Sequence, residues 1–305
     1  MGKIQLFNRF SSNLRDTLSN YSLTLKAKDL MLPKDLYLCP ISLTLHSIDN
    51  LKNGDLTIEH VPPSSLGGKP LVFTDKRINN KDGYTSDKDI LQFFQTKNFF
   101  EHGGQLKAKI FAESLGIKGI STQFSLQTQK DLKSDKAKIQ FVTSPQNIKV
   151  MNHMGMFSNW DGLTFKVSGT MSKRLNKKVL LKCAYLTAFS RIGYELLFDK
   201  KGFKRTTYGI LISVLNDQGD SDAFPLIGFD YHAPLEKSDI GIINEPAEYR
   251  TLFVNLSFKL EDQAYKYVVF LPHPDEENLD CLRRIKSIPD GQTVNFNISE
   301  IVGKI

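Results

Sequence analysis

Cysteine is scarce in this sequence: Cys39, Cys183 and Cys281 are the only three in 305 residues. So sparse and odd a count argues against a secreted disulfide framework and fits a reducing compartment. No CxxC pair occurs, so cysteine spacing offers no zinc site. Long hydrophobic runs are lacking too. The best candidate, residues 179–198, is interrupted by Lys182, Arg191 and Glu195, short of the roughly 20 apolar residues that span a bilayer. The opening stretch MGKIQLFNRFSSNLRDTL has no signal-peptide apolar core or small-residue cleavage site. After Gly2, Leu6 stands where a myristoylation signal requires Ser or Thr. There is no internal repeat and no low-complexity tract. A cytoplasmic protein with no membrane partner is the expectation.

What is present suits a folded domain. Hydrophobic residues make up 40% of the chain, enough for a packed core. The formal charge is +7 and the pI near 9.1, a modest excess compatible with a polyanionic partner. Lys173, Arg174, Lys177, Lys178 and Lys182 crowd one segment; Lys200, Lys201, Lys204 and Arg205 crowd another. Such clusters serve a phosphate backbone or simply solvate helix ends.

Local patterns divide the chain into an N-terminal helical segment (1–35), a compact αβ module (36–105) and a larger α+β domain (106–305). The module reads as strands over 37–45, 55–59 and 70–74, then an amphipathic helix within 79–97 carrying Ile90, Leu91, Phe93 and Phe94. Alternating stretches at 108–111, 137–141 and 163–168 predict further strands. The strongest helix is predicted over 176–198, followed by strands at 252–259 and 265–271. The fold class is therefore α+β, with a central helix and a mostly antiparallel sheet in the larger domain.

Chemistry concentrates in DLTIEHVPPSSLGGKPLVFTDKRINNKDGY, residues 55–84. Glu59 and His60 precede Pro62 and Pro63, a Gly67-Gly68 turn follows, and Asn79-Asn80 stand at a helix entry. Metal-assisted phosphodiester hydrolysis needs a base for water, a cation to stabilise the leaving oxygen, and groups that seat the phosphate. His60 has the near-neutral pKa of a base, and Glu59 offers an oxygen to a hard cation. Adjacent strand residues face opposite ways, so this reading requires a sharp bend at Glu59-His60, which the two prolines make plausible. His46, His102, His153, His232 and His273 lack such neighbours and read as ordinary residues. The segment HMGMFSNW (153–160), with the only tryptophan, reads as a boundary loop with buried aromatics.

The string LTIEHVPPSSLGGKPLVFT, DKRI, NNKDG resembles the nuclease motif of HNH endonucleases, over about 65 residues. The resemblance implies a ββα-metal module, DNA as partner, and one divalent cation, Mg²⁺ or Mn²⁺. It implies His60 as general base, Glu59 as a cation ligand, and Asn79 or Asn80 as a second, with Asp87 in support. Lys76, Arg77, Lys81, Lys173, Arg174 and Lys177 are the expected nucleic-acid contacts, and a protein partner or homodimer is possible. Restriction or anti-phage defence is the context it suggests. Residues 180–194 also look like a helix that follows the module in some such proteins. The sequence departs from the family where two CxxC pairs hold a structural zinc: those positions are Cys39, Ser42, Asp75 and Ile78. A structural zinc is therefore not expected, and packing by Leu36, Leu38, Ile41 and Ile78 takes its place. The alternative is a decayed HNH module kept as a nucleic-acid-binding or protein-interaction scaffold.

Overall fold

The computed structural model describes residues 2–25, 35–84, 86–127, 138–155, 166–219, 228–229, 231, 233–289 and 292–302. In chain order these form α1 (Lys3–Asn20), the short strands β1 (Tyr37–Leu38) and β2 (Leu45–His46), α2 (Ile48–Asn53), β3 (Leu56–Val61), β4 (Lys69–Asp75), α3 (Lys76–Tyr84) and α4 (Ser86–His102). There follow β5 (Gln105–Ala112), β6 (Ile117–Gln127), β7 (Lys138–Val142), α5 (Pro145–His153) and β8 (Lys166–Gly169). The remainder comprises α6 (Lys177–Ile192), β9 (Phe198–Asp199), β10 (Gly202–Phe203), α7 (Ile210–Leu215), β11 (Gly228–Phe229) and β12 (Ile240–Glu245). It closes with β13 (Thr251–Leu260), β14 (Gln263–Pro272), α8 (Asp280–Lys286) and β15 (Asn297–Glu300). Strand pairing among the described residues is antiparallel throughout. The class is α+β. No helix among them is long and apolar enough to cross a membrane.

Two compact units emerge: residues 1–87 together with 176–305, and residues 88–175. These boundaries differ from the expected breaks at 35 and 105, and the reason lies in two helices of the first unit. On α1, Leu6, Phe7, Phe10, Leu14 and Thr17 fall on one stripe and are buried. Phe10 stacks on Phe189 with centroids 5.3 Å apart, and Arg9 Nη2 donates to the Ser190 carbonyl at 3.0 Å. The N-terminal helix thus shares a core with α6 rather than standing alone. The second helix, α6, is buried continuously from Val179 to Ser190, because it packs against β13 and β14 and also against β3 and β4. A helix apolar all round belongs at the centre of a core.

Asn176 caps α6, its side chain accepting from Val179 N at 3.4 Å. The helix ends at Ile192, short of the expected 198. Gly193 has φ 73° and ψ −147°, a backbone state open chiefly to glycine that breaks the α ladder. The sheet beside α6 has order β11-β14-β13-β12-β15. Its centre is the β13–β14 hairpin, in register from Thr251↔Pro272 to Leu260↔Gln263, with Leu252, Val254, Leu256 and Phe258 buried.

The second unit is built on a four-stranded sheet of order β7-β6-β5-β8. Along β5, Leu106, Ala108, Ile110 and Ala112 are buried while Gln105, Lys107 and Lys109 are exposed, the alternation of a sheet with one wet face. Ile110, Ala112 and Ile117 pack with Met151 of α5, and Ile120 and Phe141 close the cluster. Of the strand expected over 163–168, β8 supplies Lys166–Gly169; residues 163–165 lie outside the described residues, as does most of 153–160.

Candidate functional site

β3, β4 and α3 follow one another as strand, loop, strand and helix. β3 and β4 pair from Leu56↔Asp75 to Glu59↔Val72, then shift to His60↔Pro70. Leu71 is thus the extra residue, and the bulge belongs to β4. β3 itself runs unbroken through Val61, so the expected bend between Glu59 and His60 is absent. Consecutive side chains alternate accordingly: Glu59 is 5% exposed, whereas His60 is open to solvent.

Glu59 is fully engaged. Its Oε1 accepts from Lys182 Nζ of α6 at 2.6 Å, and its Oε2 accepts from Thr74 Oγ1 at 3.0 Å. Both charged side chains are 6% exposed and Thr74 is completely buried. Asn79 is also committed, its Nδ2 donating to Thr57 Oγ1 at 2.9 Å and to the Ile58 carbonyl at 3.1 Å. Thr57 Oγ1 donates in turn to the Thr74 carbonyl at 3.4 Å. A polar line therefore runs Asn79, Thr57, Thr74, Glu59, Lys182, and it latches α3 and α6 to the β3–β4 pair.

The sequence-predicted residues are only partly gathered. Glu59 and Asn79 belong to this line. His60 does not, and neither does Asn80, which is exposed and borders a different cleft of about 460 Å³ with His46, Asn50, Asp55, Asp75 and Arg77. Asp87 stands in α4, a separate helix. Lys76 and Arg77 are exposed at the start of α3, Lys81 lies further along it, and Lys177 is exposed in the first turn of α6. Lys173 and Arg174 are exposed in the coil before it. Sequence reasoning missed Lys182 and Thr74. The available signal was Lys182 itself, the one charge inside VLLKCAYL; it registered as a break in an apolar run and as one of a basic cluster, not as the partner of a buried carboxylate.

A divalent cation at Glu59 needs free carboxylate oxygens and local negative charge. Here both oxygens have partners, and the adjacent charge is an ammonium. As arranged, the residues do not fit a cation at this position, and no step is derived through one. The four positions that the resemblance aligned with zinc ligands have other surroundings. Cys39 is buried, its Sγ accepting from Ser42 N at 3.5 Å. Asp75 Oδ2 lies 3.8 Å from His46 Nε2, and Ile78 is half-buried. His46 is itself buried, with Nε2 lacking a hydrogen-bond partner; burial lowers its pKa against the opposing pull of Asp75 and Asp55.

The loop between the strands is tightly constrained. Leu66, in a short 3₁₀ turn (Ser64–Leu66), is fully buried, and Gly67 has φ 80°. A Cβ on Gly68 would lie 1.4 Å from the Pro62 carbonyl oxygen. Gly68→Ala is therefore expected to destabilise the protein by about 2 to 3 kcal/mol, since overpacking forces backbone to move. Urea unfolding measures this; an unchanged midpoint would show that the loop adapts.

No family model, curated protein or solved structure matches the chain.

Proposed function

We propose that the chain is a nucleic-acid-binding protein built around an HNH-like strand–loop–strand–helix in which the Lys182 ammonium stands where a metal-dependent nuclease would need a cation. The buried Glu59–Lys182 pair carries this reading. It neutralises the carboxylate from within and leaves His60 alone on the other side of β3. The basic balance of the chain and the exposed Lys76, Arg77, Lys173, Arg174 and Lys177 support a polyanionic partner, with DNA the expected one.

A second reading, a DNA endonuclease with His60 as base, is favoured by one observation. His60 is solvent-accessible, and Asn79 and Asn80 follow β4 in the motif's order. In that case Glu59 must exchange Lys182 for the cation. Incubating the purified protein with plasmid DNA, with and without Mg²⁺ or Mn²⁺, separates the two. The expected result is a mobility shift without strand cutting. Metal-dependent nicking by wild type that His60→Ala abolishes would overturn the first reading and establish the second.

A further inference from the structure

The charge of this protein is not evenly spread. Of its 40 Lys and Arg and 33 Asp and Glu, residues 88–175 hold 13 and 6, leaving 27 of each in the larger unit. The larger unit is formally neutral, and the smaller one accounts for the whole excess of +7. This asymmetry bears directly on where a polyanion would attach.

Within the smaller unit, the sheet supplies a surface of suitable chemistry. One face is occupied by Leu106, Ala108 and Ile110. On the other, the register sets Lys107 beside Gln123, Gln123 beside Val142, and Lys109 between Ser121 and Ser168. These side chains, with Thr143 and Asn147, line a cleft of about 810 Å³ that contains no Asp or Glu. Lys107 and Lys109 are exposed and have no carboxylate partner among the described residues. Asn147 steadies the rim, its Nδ2 donating to the Ser121 carbonyl at 3.1 Å and to Thr143 Oγ1 at 2.8 Å. Ser144, the N-cap of α5, opens onto the same cleft, adding the positive end of a helix dipole.

We propose that this face of the β7-β6-β5-β8 sheet binds the phosphate backbone of duplex DNA, with Lys107 and Lys109 as the charged contacts and Ser121, Gln123 and Ser168 as neutral donors. The proposal rests on the nucleic-acid-binding reading and locates its contact surface. Three features select this occupant. Two exposed ammonium groups with no carboxylate partner among the described residues complement phosphates, where surface lysines usually have mixed-charge neighbours. Hydroxyls and amides are common phosphate donors that carry no sequence information. The lining contains no aromatic ring, so it lacks the stacking platform on which single-stranded bases are held.

The test is fluorescence anisotropy of the full chain with a labelled DNA duplex over a range of salt concentrations. Wild type is compared with K107Q/K109Q and with K266Q/K286Q, a control pair exposed on the larger unit. Each lost phosphate contact reduces the steepness of log K against log salt by about 0.9, so the first pair should flatten it by about 1.8. At about 0.1 M salt this corresponds to an affinity loss of roughly sixtyfold, while the control pair stays near wild type. The single variants K107Q and K109Q should each give half the slope change, a graded result that misfolding would not produce. Equal affinity and slope in wild type and K107Q/K109Q would overturn the assignment of this face. So would tighter binding of a single strand than of the duplex. Absence of duplex binding by wild type would instead bring down the nucleic-acid reading itself, and this inference with it.

Discussion

Replacing Lys182 with alanine is expected to cost about 3 to 5 kcal/mol of folding stability, because it strands a buried carboxylate without its counter-charge. Glu59 then retains only the Thr74 hydroxyl and is buried, at 5% exposure. Glu59→Gln with Lys182 intact should also be costly, leaving a buried ammonium with a neutral partner. The double substitution, Glu59→Gln with Lys182→Met, removes both charges and should recover most of the loss, since buried pairs contribute little net stability over neutral side chains of similar volume. Urea denaturation of wild type, Glu59→Gln, Lys182→Met and the double variant closes the cycle that gives the coupling energy. Additive single and double effects would mean that the two groups do not meet in solution. The same variants bear on function: if Lys182→Ala gained metal-dependent DNA cutting, the lysine would be an inhibitor of a latent nuclease rather than its replacement.

Stability is expected to fall in acid through His273. Burial, then the nearby Arg250, push its pKa down from 6.5 to about 4, with Lys204 adding to the effect and Asp275 opposing it. Its Nδ1 accepts from Asp275 N at 3.1 Å, so the folded protein holds a neutral ring whose other nitrogen bears the proton. Between these two pKa values the unfolded chain binds a proton that the folded one refuses. Stability from this group is therefore complete above about pH 6.5, declines as pH falls, and is lost by about pH 4. The total is about 3 kcal/mol. Comparing wild type with His273→Gln by urea unfolding at neutral pH and near pH 4 isolates it. The variant should show a shallower acid loss; parallel losses would assign the acid sensitivity to carboxylates instead.

Local pattern made much of this fold legible. The order strand, loop, strand, helix over residues 55–84 is found, as are the apolar helix around Lys182 and the β13–β14 strands. These depend on neighbours within a few positions, which sequence periodicity reports directly. What escaped reading depends on residues distant in the chain. Glu59 finds its partner 123 residues away, and the Phe10–Phe189 stack joins the N-terminal helix to α6. No local spacing encodes either contact, so the units divide at 87 and 176 rather than at 35 and 105. The bend required at Glu59-His60 failed for a subtler reason. The irregularity was accommodated by the partner strand at Leu71, and a sequence does not reveal which strand of a pair takes the extra residue. Lys76, Arg77, Lys173, Arg174 and Lys177 are exposed, whereas Lys107 and Lys109 were hidden in an alternation that reads only as strand until the register is known.

The separation of Glu59 from Lys182 also sets a timetable for synthesis. A ribosome adds about 5 to 20 residues per second, so β3 emerges some 6 to 25 seconds before the lysine that neutralises it. During that interval the carboxylate keeps its water, and β4, with Val72 and Phe73 destined for full burial, has no α6 to cover it. The intervening 88 residues of the second unit have their own core and can fold in the meantime. The nascent chain thus acquires its basic surface before its central helix, and the first unit must wait, partly exposed, for its second half.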